Sequence, residues 1–193
     1  LTSVEGCMKF NWPNAPTWFR IVAIPLVVLG FYSGESWARP AAGLLFGLAA
    51  ITDLLDGYLA RRLGQTSSFG AFLDPVADKL MVSTALVLLV QADPKIALAV
   101  VAAIIVGREI TVSALREWMS ALGARAHVAG SFLGKWKTTF QMLGIGLMLY
   151  REPILGQPIY WAGEWLLYAA AALTLASMID YLRAALPVIE AHD

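Results

Sequence analysis

The chain has 193 residues, of which 59% are hydrophobic and 15% charged. A soluble domain is nearer half apolar and a quarter charged, so the composition excludes an ordinary soluble globule and points to an integral membrane protein. The 14 basic and 14 acidic side chains cancel, which argues against a nucleic-acid partner; the single cysteine, Cys7, excludes an intrachain disulfide.

Apolar blocks of roughly 20 residues, the length that crosses a bilayer, recur along the chain and predict an all-α architecture of six transmembrane helices. Met8 reads as a natural start, so residues 1–7 are expected to be an upstream extension, and no cleavable signal peptide is evident. Residues 8–16 are polar and aromatic with two prolines, which suits a short N-terminal interfacial segment. The first span is expected over Thr17 to Tyr32 and the second over Trp37 to Leu63. Gly64 to Ser68 reads as a short polar turn, and the third span as Phe69 to Gln91. Asp93 and Pro94 start the fourth, which runs to Leu122; the fifth covers Ala129 to Tyr150. Arg151 to Pro158 is a turn, and the sixth span is Ile159 to Ala185, stopping before Pro187. No internal repeat is visible, and residues 1–193 read as a single domain.

Six spans put both termini on one side with the 2–3 and 4–5 loops. Lys9, Arg20, Arg61, Arg62, Lys79, Arg108, Arg116, Arg125, Lys135, Lys137 and Arg183 fall toward that side; Arg39, Lys95 and Arg151 fall toward the other. Cytoplasmic loops carry the basic excess, so the termini are expected in the cytoplasm. Most of the tryptophans read as interfacial belt. His127 and His192 stand alone in loop and tail and receive no role.

The acidic residues are the chemical signal. Asp53 and Asp56 lie three apart near the end of span 2; Asp74 and Asp78 lie four apart near the start of span 3. On helices each spacing puts both carboxylates on one face. The tight turn at Gly64 should bring these ends together, making a four-carboxylate pocket open to the cytoplasm. Carboxylates bordered by apolar runs are costly in a bilayer and mark function. Their mutual repulsion calls for hard divalent cations, and oxygen-only donors favour Mg²⁺, Mn²⁺ or Ca²⁺ over zinc. Two such ions can clamp a diphosphate. Arg61, five residues after Asp56, is near enough to add a phosphate contact, while Gly57, Ala60 and Gly70 leave room for a flat group against the helix backbone. Pro75 is expected in the first turn of its helix, where its missing N–H costs little.

DLLDGYLAR over residues 53–61, an eight-residue spacer and GAFLDPVAD over 70–78 resemble the signature of the CDP-alcohol phosphatidyltransferases, D-x-x-D-G-x-x-A-R, spacer, G-x-x-x-D-x-x-x-D, with every fixed position filled. NWPNAPTWFR (11–20), FGAFLDPVADK (69–79), REITVSALREWM (108–119) and GKWKTTFQ (134–141) are similar to the bacterial, glycerol-phosphate-using branch of that family. The resemblance implies the CDP-alcohol phosphotransferase fold in a bacterial inner membrane, with the active site on the cytoplasmic side and a homodimer as the assembly. It implies transfer of a phosphatidyl group from CDP-diacylglycerol to sn-glycerol 3-phosphate, with release of CMP. It makes Asp53, Asp56, Asp74 and Asp78 ligands of two Mg²⁺ ions, with Mn²⁺ as substitute, and Asp78 also the general base. It lines the CDP-diacylglycerol site with Asp56, Gly57, Ala60, Arg61 and Gly70. The acceptor phosphate needs its own cations. Arg108 and Lys135 are the first candidates, Arg116 and Lys137 the next. Asn11, Thr17 and Arg20 lie at the same face, to bind substrate or order the interfacial segment.

The plainer readings stand beside these. Arg108 and Glu109 read equally as an interhelical ion-pair site, Lys137 as a headgroup-layer lysine, Arg116 as a solvated helix end and Arg62 as a positive-inside anchor. An intramembrane prenyltransferase explains the acidic pairs but not the D-G-x-x-A-R continuation. A cation transporter needs acidic residues at mid-depth elsewhere, and spans 1, 5 and 6 carry none. Within the family, phosphatidylglycerol, inositol phosphate and serine are the competing acceptors.

Overall fold

A computed structural model describes residues 15–63, 68–121 and 132–190. Six α-helices account for nearly all of them: α1 (Ala15–Tyr32), α2 (Ala38–Leu63), α3 (Ser68–Ala92), α4 (Ile96–Ala121), α5 (Phe132–Tyr150) and α6 (Tyr160–Glu190). No strand occurs among the described residues; the one β-bridge, Ile154 to Gln157, closes a tight turn between α5 and α6. In an apolar slab a helix satisfies its own backbone polar groups, which is why long apolar runs resolve into helices.

Several boundaries depart from the sequence expectation. α4 begins at Ile96 rather than Pro94, because the Asp93 N–H still donates to Leu89 and so finishes α3. α6 continues through Pro187 to Glu190; so close to the helix end, proline removes a single ladder bond, which the apolar residues around it override. Pro75 is not in a first turn, since α3 already starts at Ser68. Its ring therefore interrupts the ladder inside the helix, immediately after Asp74. Pro25 interrupts α1 in the same way.

The chain divides into two compact units, one ending at Thr84 and the other beginning at Ala85, so the division falls inside α3. In the first, α1 packs on α2. Gly30 makes the approach close: a Cβ there would sit 3.1 Å from the Ala38 carbonyl oxygen and 3.3 Å from the Ala42 Cβ. Ala23, Val27, Phe46 and Ala49 fill the interior. In the second, α6 packs on both α5 and α4, around Leu98, Ile105, Ile145, Met148 and Leu167. α5 and α6 touch backbone to backbone. A Cβ on Gly144 would lie 2.9 Å from the Gly163 oxygen, and one on Gly163 2.8 Å from the Gly144 oxygen. Small residues at a helix crossing permit this approach where lipid offers no hydrophobic drive to association.

Large apolar side chains face outward on every helix: Leu29, Leu48, Phe72, Ile110, Leu143 and Trp165 are all exposed. Inward lie Thr17, Arg20, Arg108, Lys137, Gln141, Thr174 and Ser177. This distribution inverts that of a soluble protein. Among the described residues two helices, Ile96–Ser120 and Tyr160–Ile179, are long and apolar enough to cross a membrane, and only 22% and 33% of them are buried within the chain. At the α3–α4 turn, Lys95 bonds Asp93 at 2.9 Å and Glu164 of α6 at 3.1 Å. Tyr160 donates to Asp93 at 3.0 Å. The Lys95 ammonium holds the Asp93 carboxyl below the usual range.

Gly163→Ala should destabilise the protein by about 1–3 kcal/mol through overpacking. A fluorescence-detected thermal melt in detergent would show this as a lowered midpoint. Gly47→Ala, where a Cβ meets nothing within 4 Å, should leave the midpoint unchanged or slightly raised.

Candidate active site

Each unit contains a polar centre built from residues the sequence singles out. In the first unit it forms around Asp74. Thr17 and Arg20, three residues apart on α1, share one helical face and are 1% and 2% exposed. The Thr17 hydroxyl donates to Asp74 Oδ1. Arg20 Nη2 donates to the same oxygen at 3.3 Å, and Nη1 reaches the Asp74 carbonyl oxygen at 3.5 Å. A buried arginine needs a counter-charge, and the Asp74 carboxylate supplies it. The exposure is uneven: 2% for the Arg20 side chain and 48% for that of Asp74. The cation is buried while the carboxylate is half-exposed, and Oδ1 is the oxygen that both donors reach. Asp78 follows four residues later on α3 and is half-buried. Thr17 and Arg20, expected to bind substrate or order the interfacial segment, instead bond a predicted metal ligand directly.

Asp53 and Asp56 fall within α2 and Gly70 within α3, but the side chains of Asp53, Asp56, Ala60 and Arg61 lie outside the described residues, as does any contact at Gly57 and Gly70. Among the described residues no three His, Cys, Asp or Glu side chains converge as a metal site. The predicted four-carboxylate pocket is thus described in one half, Asp74 and Asp78.

In the second unit the centre forms where α4, α5 and α6 meet. Arg108 Nη1 lies 3.3 Å from Glu109 Oε1, and Lys137 Nζ lies 3.1 Å from that same oxygen. Arg108 is 9% exposed, Lys137 3% and Glu109 24%. Arg108 Nη2 also donates to Ser177 Oγ on α6 at 3.4 Å, and Ser177 in turn donates to the Thr174 carbonyl at 2.9 Å. Arg108 falls midway along α4, where an uncompensated charge in an apolar slab would be most costly. Two cations converging on one carboxylate oxygen, backed by a hydroxyl relay, form a site that favours anions.

The placement of Lys137 corrects the headgroup-layer reading. It is buried, and it pairs with Glu109 across the α4–α5 contact. The side chains of Lys135 and Arg116 lie outside the described residues, as does Asn11. Sequence reasoning passed over Glu109 as a partner of Lys137, and Gln141, Thr174 and Ser177 altogether. The available signal was polar residues one turn apart inside otherwise apolar helices: Lys137 with Gln141, and Thr174 with Ser177.

A family model described as CDP-alcohol phosphatidyltransferase matches residues 10–181. A protein of Escherichia coli K12 named CDP-diacylglycerol–glycerol-3-phosphate 3-phosphatidyltransferase is 48% identical over 178 residues, covering 92% of this chain and 96% of its own length. Proteins of the same name from Salmonella choleraesuis and Haemophilus influenzae are similar, the latter 49% identical over 92% of this chain.

Glu109→Ala should remove a partner shared by two buried cations and destabilise the protein by about 1–3 kcal/mol. Adding Lys137→Met should recover part of that loss. Denaturation of the single and double variants should give a coupling of about 0.5–3 kcal/mol; strict additivity would remove the ion pair from the account.

Proposed function

Because the chain belongs to the CDP-alcohol phosphatidyltransferase family, we propose that it transfers the phosphatidyl group of CDP-diacylglycerol to sn-glycerol 3-phosphate, yielding phosphatidylglycerol phosphate and CMP. The observation that carries this reading is the near-complete overlap, at about half identity, with relatives named for that reaction, together with a filled family signature in α2 and α3.

The enzyme works as a multi-pass protein of the bacterial inner membrane. Its outward apolar surface and inward charges support this. So does the position of Trp18, Trp37, Trp118, Trp136, Trp161 and Trp165 close to helix ends, where amphipathic rings favour the headgroup level. The positive-inside count puts both termini and the active site on the cytoplasmic side, and a homodimer is the proposed assembly.

The donor set fits a hard divalent cation, since only carboxylate oxygens are offered and Asp74 keeps one oxygen beyond its internal partners. Asp53, Asp56, Asp74 and Asp78 would hold two Mg²⁺ ions, or Mn²⁺ in their place; the pair would neutralise the diphosphate and stabilise charge on the attacking and leaving oxygens. Thr17 and Arg20 fix the Asp74 carboxylate, as partners behind a ligand commonly do. Arg61 takes the diphosphate, and Gly57, Ala60 and Gly70 admit the cytidine. Arg108 and Lys137 hold the acceptor phosphate, with Lys135 and Arg116 as further candidates. The primary hydroxyl of the acceptor attacks the lipid-side phosphorus, the bond from that phosphorus to the CMP oxygen breaks, and the hydroxyl proton passes to Asp78. A carboxylate can serve as the base because it takes the proton only as the oxygen is committed to attack.

The direct test is mass spectrometry of the lipid formed from CDP-diacylglycerol and sn-glycerol 3-phosphate by protein in nanodiscs; a different lipid product, or none, would refute the reading. Asp78→Asn should lower kcat by about 10²–10⁴-fold while the fold persists, and near-normal turnover would remove Asp78 as the base. Arg108→Ala should raise KM for the acceptor about 10- to 100-fold and leave KM for CDP-diacylglycerol nearly unchanged; equal effects on both would count against the acceptor role. Arg20→Gln should weaken Mn²⁺ binding about 10- to 100-fold, read by electron paramagnetic resonance without substrate.

A further inference from the structure

A threonine in a helix can satisfy its hydroxyl on the carbonyl four residues back. Thr52 does so on Leu48 at 2.7 Å and Thr111 on Gly107 at 2.8 Å. Thr174 does not. Its side chain is 0% exposed, yet its Oγ1 has no hydrogen-bond partner. Gln141, 3% exposed, likewise has a buried Oε1 without a partner. A buried polar atom left unmatched costs about 1–3 kcal/mol, so two of them in one unit call for an explanation.

Both belong to the cationic centre. Lys137 and Gln141 are four residues apart on α5 and both buried, so they share one inward face. The Gly144–Leu167 contact fixes the antiparallel register of α5 and α6. Seven residues back from Gly144 is Lys137, and seven on from Leu167 is Thr174. Thr174 therefore stands at the level of Lys137, with Gln141 one turn away. The Thr174 carbonyl already receives Ser177, which receives Arg108. Two buried cations and two unmatched neutral oxygen groups in one centre match the groups that a small phosphate-bearing polyol presents.

We propose that Thr174 and Gln141 read the free secondary hydroxyl of the acceptor, while Arg108 and Lys137 hold its phosphate. This inference rests on the acceptor-site reading given above. A hydroxyl both donates and accepts, so it can give its proton to Gln141 Oε1 and take one from Thr174 Oγ1. The two residues are specificity determinants with no part in bond making. A site built to pair with a substrate hydroxyl rejects an analogue that lacks it far more strongly than an apolar pocket rejects a missing methylene.

The test compares two acceptors in CMP release by the full chain in nanodiscs: sn-glycerol 3-phosphate and 3-hydroxypropyl phosphate, which lacks only the secondary hydroxyl. The wild type should favour the first in kcat/KM by about 10- to 100-fold or more. Thr174→Val and Gln141→Leu should each bring that ratio toward one, by losing activity on glycerol 3-phosphate while activity on the deoxy analogue holds. Thr174→Ser, which keeps the hydroxyl, should retain the wild-type ratio. A wild type indifferent to the two acceptors overturns the assignment. So does an equal loss on both acceptors in the Val and Leu variants, the result expected if these groups only hold a structural water. No CMP release from the wild type with either acceptor refutes the transferase reading itself, and the assignment falls with it.

Discussion

The structure depends on one electrostatic constraint: a charge turned inward among apolar helices must find its counter-charge there. Arg20 meets it at Asp74, and Lys137 and Arg108 meet it at Glu109. In each case the cation is the deeply buried member and the carboxylate the more accessible one. Each ion pair therefore keeps its cation fixed in the interior and leaves its carboxylate on the more accessible side. Structural pairing and binding capacity come from the same contacts.

Packing serves that arrangement. α6 carries no residue of the family signature, yet it supplies Ser177 and Thr174 to the cationic centre. It can do so because Gly144 and Gly163 let α5 and α6 approach to backbone contact, and because α6 also lies along α4. The close crossing sets the register that brings Thr174 level with Lys137. A larger residue at either glycine would disturb the cationic centre along with the helix pair.

Much of this was legible in the sequence. Apolar blocks and their polar interruptions predict six helices, and the observed ends differ by a few residues where proline or a finishing turn decides the matter. The spacing of Asp53, Asp56, Asp74 and Asp78 puts each acidic pair on one helical face without any coordinates. Pairings between distant positions were not legible. Thr17 and Arg20 bond a residue more than fifty positions away, and Lys137 a residue 28 positions away. A lysine near a helix start reads as a headgroup contact until the facing helix is known. Proline rules failed at Pro75 and Pro187 because local propensity yields when a long apolar helix has nowhere else to satisfy its backbone.

The measurement that bears most directly on the central claim is CMP release from radiolabelled CDP-diacylglycerol by the purified protein, across an acceptor panel, with and without a metal chelator. Rapid release with sn-glycerol 3-phosphate, little with serine, inositol phosphate or phosphatidylglycerol, and none with chelator present is the predicted result. Release that ignores the chelator, or that is fastest with an acceptor lacking a phosphate monoester, would contradict the account of a carboxylate centre working with a separate cationic acceptor site.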